Sequence, residues 1–266
     1  MADGISTRHD DGVLEVTLNR PKVANAIDWE TSRLMGDTFQ AFRDNPDLRV
    51  AILRSASDRH FCAGWDLKTA AAAEADGAAP VNMDFGPGGF GGIQDLRDLN
   101  KPVIACVNGV ALGGGFELAL SCDLIYASEH SSFGLSEIIF GTLAPAACAR
   151  LHKRMPWHIA MELLFTGRRM DAAEAHRWGL VNEVVPKDKI EERVWAIAKL
   201  LAGGSPLVLA AIKETVRVSE TASFADTINR ISRHQLATVE RLEKSEDTLE
   251  GRRAFAEKRQ PIWKGR

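Results

Sequence analysis

The chain has 266 residues, 45% of them hydrophobic and 26% charged, with a formal net charge of -3 at pH 7. That length suffices for one large domain or two modest ones around a real core, and the composition is that of a globular protein. The balance of charge argues against a nucleic-acid partner. No run approaches the roughly 18 apolar residues of a membrane helix, and residues 1–10 lack the apolar stretch of a signal peptide. Cys62, Cys106, Cys122 and Cys148 show no CxxC spacing, so they read as reduced thiols of a cytoplasmic protein and not as metal ligands.

Residues 12–18 place Leu14, Val16 and Leu18 on one face, the pattern of a half-buried strand. A helix is predicted over residues 29–43, with Asp28 as its N-cap. Residues 49–53 read as a short apolar strand. Residues 102–107 and 123–127 read as strands buried on both faces. Between them, residues 70–92 are rich in Ala and Gly. This stretch begins helical and ends in Asp84-Phe85-Gly86-Pro87-Gly88-Gly89-Phe90-Gly91-Gly92. It suits either a flexible surface loop or a lid whose phenylalanines face a pocket. The alternation predicts an α/β layered core.

The second half is helical. Asp171-Ala172-Ala173-Glu174 matches a capping box for a short helix that stops at Gly179. Residues 181–185 form a last strand, closed by Pro186. Helices follow near residues 190–202, 206–218, 224–242 and 248–258. A boundary near 200 divides a core of residues 1–200 from a helical subdomain of residues 201–266.

Three segments carry chemistry. In Asn108-Gly109-Val110-Ala111-Leu112-Gly113-Gly114-Gly115-Phe116-Glu117, a buried strand passes through a turn and a glycine triplet into a helical run. Such glycines admit a ligand to backbone N–H groups, and a helix start favours negative charge. The triplet equally suits tight packing, and it is neither a Walker loop nor GxGxxG. Phe61-Cys62-Ala63-Gly64-Trp65-Asp66-Leu67-Lys68 is a second strand-to-helix turn, in which Asp66 can cap the helix. Two such turns can aim two N–H groups at one oxygen, which would stabilise the enolate formed when a thioester's α-carbon gains or loses a proton. The third segment, Gly134-Leu135-Ser136-Glu137-Ile138-Ile139, sets Glu137 among apolar residues that would raise its pKa. A helix cap or salt bridge is the equally open role for Glu137.

With these segments on the page, the chain resembles the crotonase (enoyl-CoA hydratase/isomerase) superfamily over its whole length. The resemblance rests on Arg20-Pro21-Lys22-Val23-Ala24-Asn25-Ala26, on residues 61–67 and on residues 107–117. Thr166-Gly167-Arg168-Arg169, Trp178-Gly179-Leu180-Val181-Asn182 and Ala256-Glu257-Lys258-Arg259 continue it in order. A narrower resemblance, to the carnitinyl-CoA dehydratase (crotonobetainyl-CoA hydratase) branch, rests on residues 63–68, 84–90, 113–120, 245–247 and 255–266.

The resemblance implies a spiral of ββα turns, followed by C-terminal helices that assemble a homotrimer or a dimer of trimers. It implies reversible hydration of a short enoyl-CoA. CoA arrives as part of the substrate, with no permanent cofactor and no metal. The oxyanion donors fall on the backbone of Trp65 and Gly114, and the catalytic carboxylates on Glu117 and Glu137. Isomerase-type members commonly lack one of that pair, so both together favour hydration or dehydration. Lys22, Val23, Ala24, Ala63, Asp66, Leu67 and Lys68 fall where the family holds CoA. Phe255 and Lys258 fall where the last helix, often a neighbour's, reaches the nucleotide end. For a trimethylammonium acyl group, Trp65, Phe85, Phe90 and Phe116 are candidate aromatic faces, with Trp65 and Phe116 equally suited to packing. A binding-only or RNA-binding member of the fold would lack the glutamates or carry a basic stripe.

The family usually follows its second glutamate with a proline turn and a Gly-Gly pair opening a helix. Here Gly141 is followed by Thr142-Leu143-Ala144-Pro145-Ala146-Ala147-Cys148, about one residue shorter, with Pro145 suited to a first helical position. Ser136 replaces a common proline. This segment borders the acyl pocket, so the departure bears on the acyl group. Arg252, Arg253, Lys258, Arg259, Lys264 and Arg266 suit a solvated tail, a subunit contact or a CoA phosphate site.

Overall fold

Strand β1 (Ile5–Asp10) folds back on β2 (Val13–Leu18) across Asp11-Gly12, and β2 then pairs in parallel with β3 (Val50–Ser55). The parallel step is made possible by helix α1 (Trp29–Asp44), which carries the chain back along the sheet. Asp28 caps α1, accepting the Thr31 N–H at 2.8 Å. These coordinates are a computed structural model that describes residues 4–69, 71 and 85–266; residues 1–3, 70 and 72–84 lie outside the described residues. Asp84 and most of the helical start expected after residue 70 fall there.

From β3 onward each strand pair is divided between two sheets. The remaining strands are β4 (His60–Cys62), β5 (Val103–Val107), β6 (Val110–Leu112), β7 (Leu124–Ser128), β8 (Ser132–Gly134), β9 (Arg169–Asp171) and β10 (Glu183–Val185). Among the described residues, β1-β2-β3-β5-β7-β10 make one sheet and β4-β6-β8-β9 the other. Helix α2 (Gly114–Ser121) follows β6 and α3 (Glu137–Phe140) follows β8. This is the ββα spiral expected. Helices α4 (Pro145–Arg154), α5 (Trp157–Thr166), α6 (Ala172–Arg177) and α7 (Ile190–Ala202) come next. Then come α8 (Pro206–Ser219), α9 (Phe224–Ser232), α10 (Ala237–Glu243) and α11 (Glu246–Glu257). Asp171 caps α6 through the Glu174 N–H at 2.7 Å, and Pro145 opens α4.

The expectation that β2 is half-buried is corrected: all six of its residues are buried. Leu14, Val16 and Leu18 face the large core with Phe39, Phe42 and Phe133, while Val13 joins a second core under α7. Glu15, on that second face, is buried because its partners come with it. Arg8 donates twice, at 2.8 and 2.9 Å, and Trp195 Nε1 donates at 2.8 Å. A polar residue in a strand pattern therefore marks a satisfied buried group here, not a wet face. The single helix expected over residues 224–242 is also corrected to two, α9 and α10. His234 takes φ 54° between them, and the turn brings Leu236 and Val239 against Ala211 of α8.

Phe116, expected as a possible pocket face, is fully buried, with its ring centroid 5.2 Å from that of Phe133. Its place is in the core. Phe116→Leu is expected to cost roughly 1–3 kcal/mol of stability, read as a lower urea midpoint, and to leave KM unchanged. A selective rise in KM at full stability would return Phe116 to the pocket wall.

Candidate active site

Three neighbouring strands of the smaller sheet, β4, β6 and β8, run parallel. Their C-terminal ends therefore share one edge. Just past it the chain delivers Trp65 after β4, Gly114 after β6 and Glu137 after β8.

Residues 20–27 hold the first of these turns. Asn25 Nδ2 donates to Ser55 Oγ at 2.6 Å and to the carbonyls of His60 and Phe61 at 3.1 and 3.3 Å. Arg20 pairs with both Asp28, at 2.7 Å, and Asp66, at 3.2 Å. Asp66 also accepts the Thr69 N–H at 3.3 Å, so it does cap the following turn. Ala63 N–H donates to Ala24 O, and Asp66 N–H to Ile27 O. Between them, among the described residues, the Trp65 N–H has no partner.

The second turn repeats that arrangement. Gly113 N–H donates to Gly134 O, the N–H groups of Phe116 and Glu117 donate to Gly113 O, and that of Gly114 is unpartnered among the described residues. The two turns are in contact. Gly64, at φ 95°, lies so close that a Cβ there would stand 2.9 Å from the Gly114 nitrogen. Two free donors on adjoining turns form a local site for an oxyanion.

Glu117 lies in the first turn of α2 and is only 5% exposed. Its Oε1 accepts the Ala147 N–H at 2.9 Å. Glu137 begins α3, and its Oε2 is buried without a hydrogen-bond partner among the described residues. Neither a cap nor a salt bridge accounts for it. Gly113, at φ 53°, leaves the room: a Cβ there would stand 2.8 Å from Glu137 Oε1. Burial pushes both carboxyl pKa values up. The Ala147 amide pulls Glu117 part of the way back, whereas the charge of Glu117 pushes Glu137 further up.

Trp65 is the centre of an aromatic cluster. Its ring meets those of Trp29, Phe85 and Phe90 edge-to-face at 4.5, 5.0 and 6.2 Å, and Phe85 meets Phe90 at 5.4 Å. Phe90 rests on Gly114: a Cβ there would come within 2.6 Å of its ring. A groove of about 450 Å³ opens beside Glu137, lined by Leu135, Leu143, Cys148, Trp157 and Phe165 among others. Lys22 and Val23 form an exposed turn that ends at Ala24, and the backbone bonds to residues 61–66 bring it beside Ala63, Leu67 and Lys68. Phe255, 86% exposed, and Lys258 stand apart on the end of α11, with no hydrogen bond or ion pair to that surface among the described residues. Of the basic tail, Arg259 pairs with Glu250 and Glu257, and Lys264 and Arg266 pair with Glu246.

Ala147, Trp29 and Arg20 were not singled out by the sequence for these roles. Ala147 acts through its backbone, which leaves no compositional mark. Trp29 could have been found as an aromatic directly after the Asp28 cap, and Arg20 as the one cation beside two turn acids.

The enoyl-CoA hydratase/isomerase family model matches residues 8–266. A carnitinyl-CoA dehydratase of Proteus mirabilis is 50% identical over 96% of this chain and 95% of that protein. One of Salmonella typhi is 46% identical over 100% of both chains. The crystal structure of an enoyl-CoA hydratase from Mycobacterium tuberculosis H37Rv superposes with a TM-score of 0.87 at 35% identity, covering 99% of this chain and 100% of that one. With sequence and fold matched from end to end, the chain belongs to the enoyl-CoA hydratase/isomerase (crotonase) family.

Proposed function

We propose that the chain is a hydro-lyase that reversibly adds water to a short enoyl-CoA thioester, with Glu117 as base and Glu137 as acid in the hydration direction. The observation that carries this reading is the asymmetry of the two carboxyls, of Glu117, which is buried, and Glu137, which is half-buried. Glu117 holds a backbone N–H that favours its ionised form. Glu137 has a buried oxygen with no donor, which favours its protonated form. The thioester oxygen sits between the N–H groups of Trp65 and Gly114. A water held between the carboxyls gives its proton to Glu117 as its oxygen attacks Cβ, and Glu137 delivers a proton to Cα. Dehydration runs the same steps backwards. CoA lies along Lys22, Val23, Ala24, Ala63, Asp66, Leu67 and Lys68 and is the only cofactor, arriving with the substrate.

Carnitinyl-CoA/crotonobetainyl-CoA is the favoured substrate pair. The half-buried Trp65 ring, with Phe85, Phe90 and Trp29 around it, supports this by placing aromatic surface beside the thioester for a trimethylammonium group. The helices after residue 200 serve assembly as a trimer or dimer of trimers. Val208, Ile212 and Val216 make an exposed apolar stripe on α8, as do Phe224 and Ile228 on α9. Phe255 and Lys258 then complete the nucleotide end of a neighbour's site. The four unpaired cysteines suit the reducing cytoplasm.

Glu117→Gln and Glu137→Gln are each expected to lower kcat by about two orders of magnitude or more while CoA binding survives. Near-normal turnover in both would sink the assignment. Gly113→Ala crowds Glu137 and, at φ 53°, also strains the backbone that leads into the Gly114 N–H, so it should reduce kcat and leave Kd for CoA intact; an unchanged kcat would contradict the contact. Trp65→Ala should damage crotonobetainyl-CoA turnover more than crotonyl-CoA turnover. Equal losses would instead support a general enoyl-CoA hydratase.

A further inference from the structure

Arg150 is a half-buried cation without a carboxylate at ion-pair distance among the described residues. It lies on α4, one turn after Ala147, and reaches across to α2. Its Nη1 donates to Ser121 Oγ at 2.6 Å and its Nη2 to Gln94 O at 2.7 Å. Ser121 Oγ in turn donates to the carbonyl of Glu117 at 2.8 Å. Helix α4 thus grips α2 twice, through the Ala147 amide on the Glu117 carboxylate and through Arg150 on the turn behind it. The Gln94 segment is tied into the same knot, and the side chain of Gln94 lies beside Glu117.

A guanidinium so placed costs desolvation and takes back only neutral hydrogen bonds. The anion that its field reaches inside the site is Glu117; Asp95 and Glu220 act on it from outside, and Arg154, which pairs with Glu220, opposes it. Resting on the reading of Glu117 as the base, we propose that Arg150 is a positioning residue of the reaction. It locks α2, α4 and the Gln94 segment in the geometry that aims Glu117, and its positive charge lies on the side that favours the carboxylate.

The test is the pH dependence of kcat/KM on crotonyl-CoA for the parent, Arg150→Lys, Arg150→Met and Glu117→Gln. The charged groups facing Glu117 are Glu137 and Arg150, with the Cys148 thiol close to both glutamates. Only Arg150 changes in the first two variants. Removing its charge makes Glu117 easier to protonate, so the acid limb of the Arg150→Met profile moves to higher pH. The deficit against the parent then widens as pH falls and narrows as it rises. Arg150→Lys restores the acid limb, but not the whole plateau, because an ammonium cannot span Ser121 and Gln94 as the fork does. CoA affinity stays unchanged throughout. An acid limb at the parent position in Arg150→Met overturns the proposal. If that variant does not fold, Arg150→Gln is measured in its place, and an unmoved limb there overturns it equally. Glu117→Gln separates the two levels: if it turns over normally the reading of Glu117 itself fails, and if it is inactive while the limb stays put only the role of Arg150 fails.

Discussion

Two carboxyl groups, Glu117 buried and Glu137 half-buried, lie within each other's field, and among the described residues no basic side chain is paired to either. Each unpaired carboxylate in such a place costs several kcal/mol as an anion. The fold must offset this elsewhere, and it does so with two cores on opposite faces of the larger sheet. The ionised form of Glu117 is favoured by the Ala147 amide, by the Gln94 side chain and the Ala146 backbone beside it, and least by the field of Arg150 one helical turn further on. Burial and these contributions pull the carboxyl pKa of Glu117 in opposite directions, and burial prevails.

The same constraint fits the proposal that the oxyanion is held by backbone N–H groups, those of Trp65 and Gly114. A cationic side chain near the thioester would pair with the nearer glutamate and remove it from use. Amide donors on two adjoining turns are fixed by the chain itself and do not titrate. Their fixity traces to Asn25, Arg20 and the bonds that stitch residues 20–27 to residues 60–66. A motif that reads as a CoA contact in sequence is also a clamp on the catalytic turn.

Legibility in the sequence follows the range of the forces involved. The α1 cap at Asp28, the α6 cap at Asp171, the opening of α4 at Pro145 and the limits of α7 depend on neighbours within one turn, and all were readable. The second buried face of β2 was not, because Glu15 is satisfied by Trp195, 180 residues away. The break at His234 was hidden because both flanking runs have helical patterning and only packing against Ala211 demands the turn. In the site, glycines and glutamates stood out by type. Their meeting depends on β4, β6 and β8 lying side by side, which no local window contains. Ala147 left no trace, since any residue but proline can offer that N–H.

The parallel edge formed by β4, β6 and β8 has a consequence for how such a site can diversify. One strand leads to Trp65, the next to Gly114 and Glu117, and the third to Glu137 and the wall of the groove beside it. Each component hangs on its own repeat of the spiral, and the Ala147 amide and Arg150 tie the connection after Glu137 back to α2. The stretch from Thr142 to Cys148 contains no glycine, and its Ala147 delivers an N–H to Glu117. An edit to this one connection therefore acts at once on the wall of the groove beside Glu137 and on the hydrogen bond to Glu117.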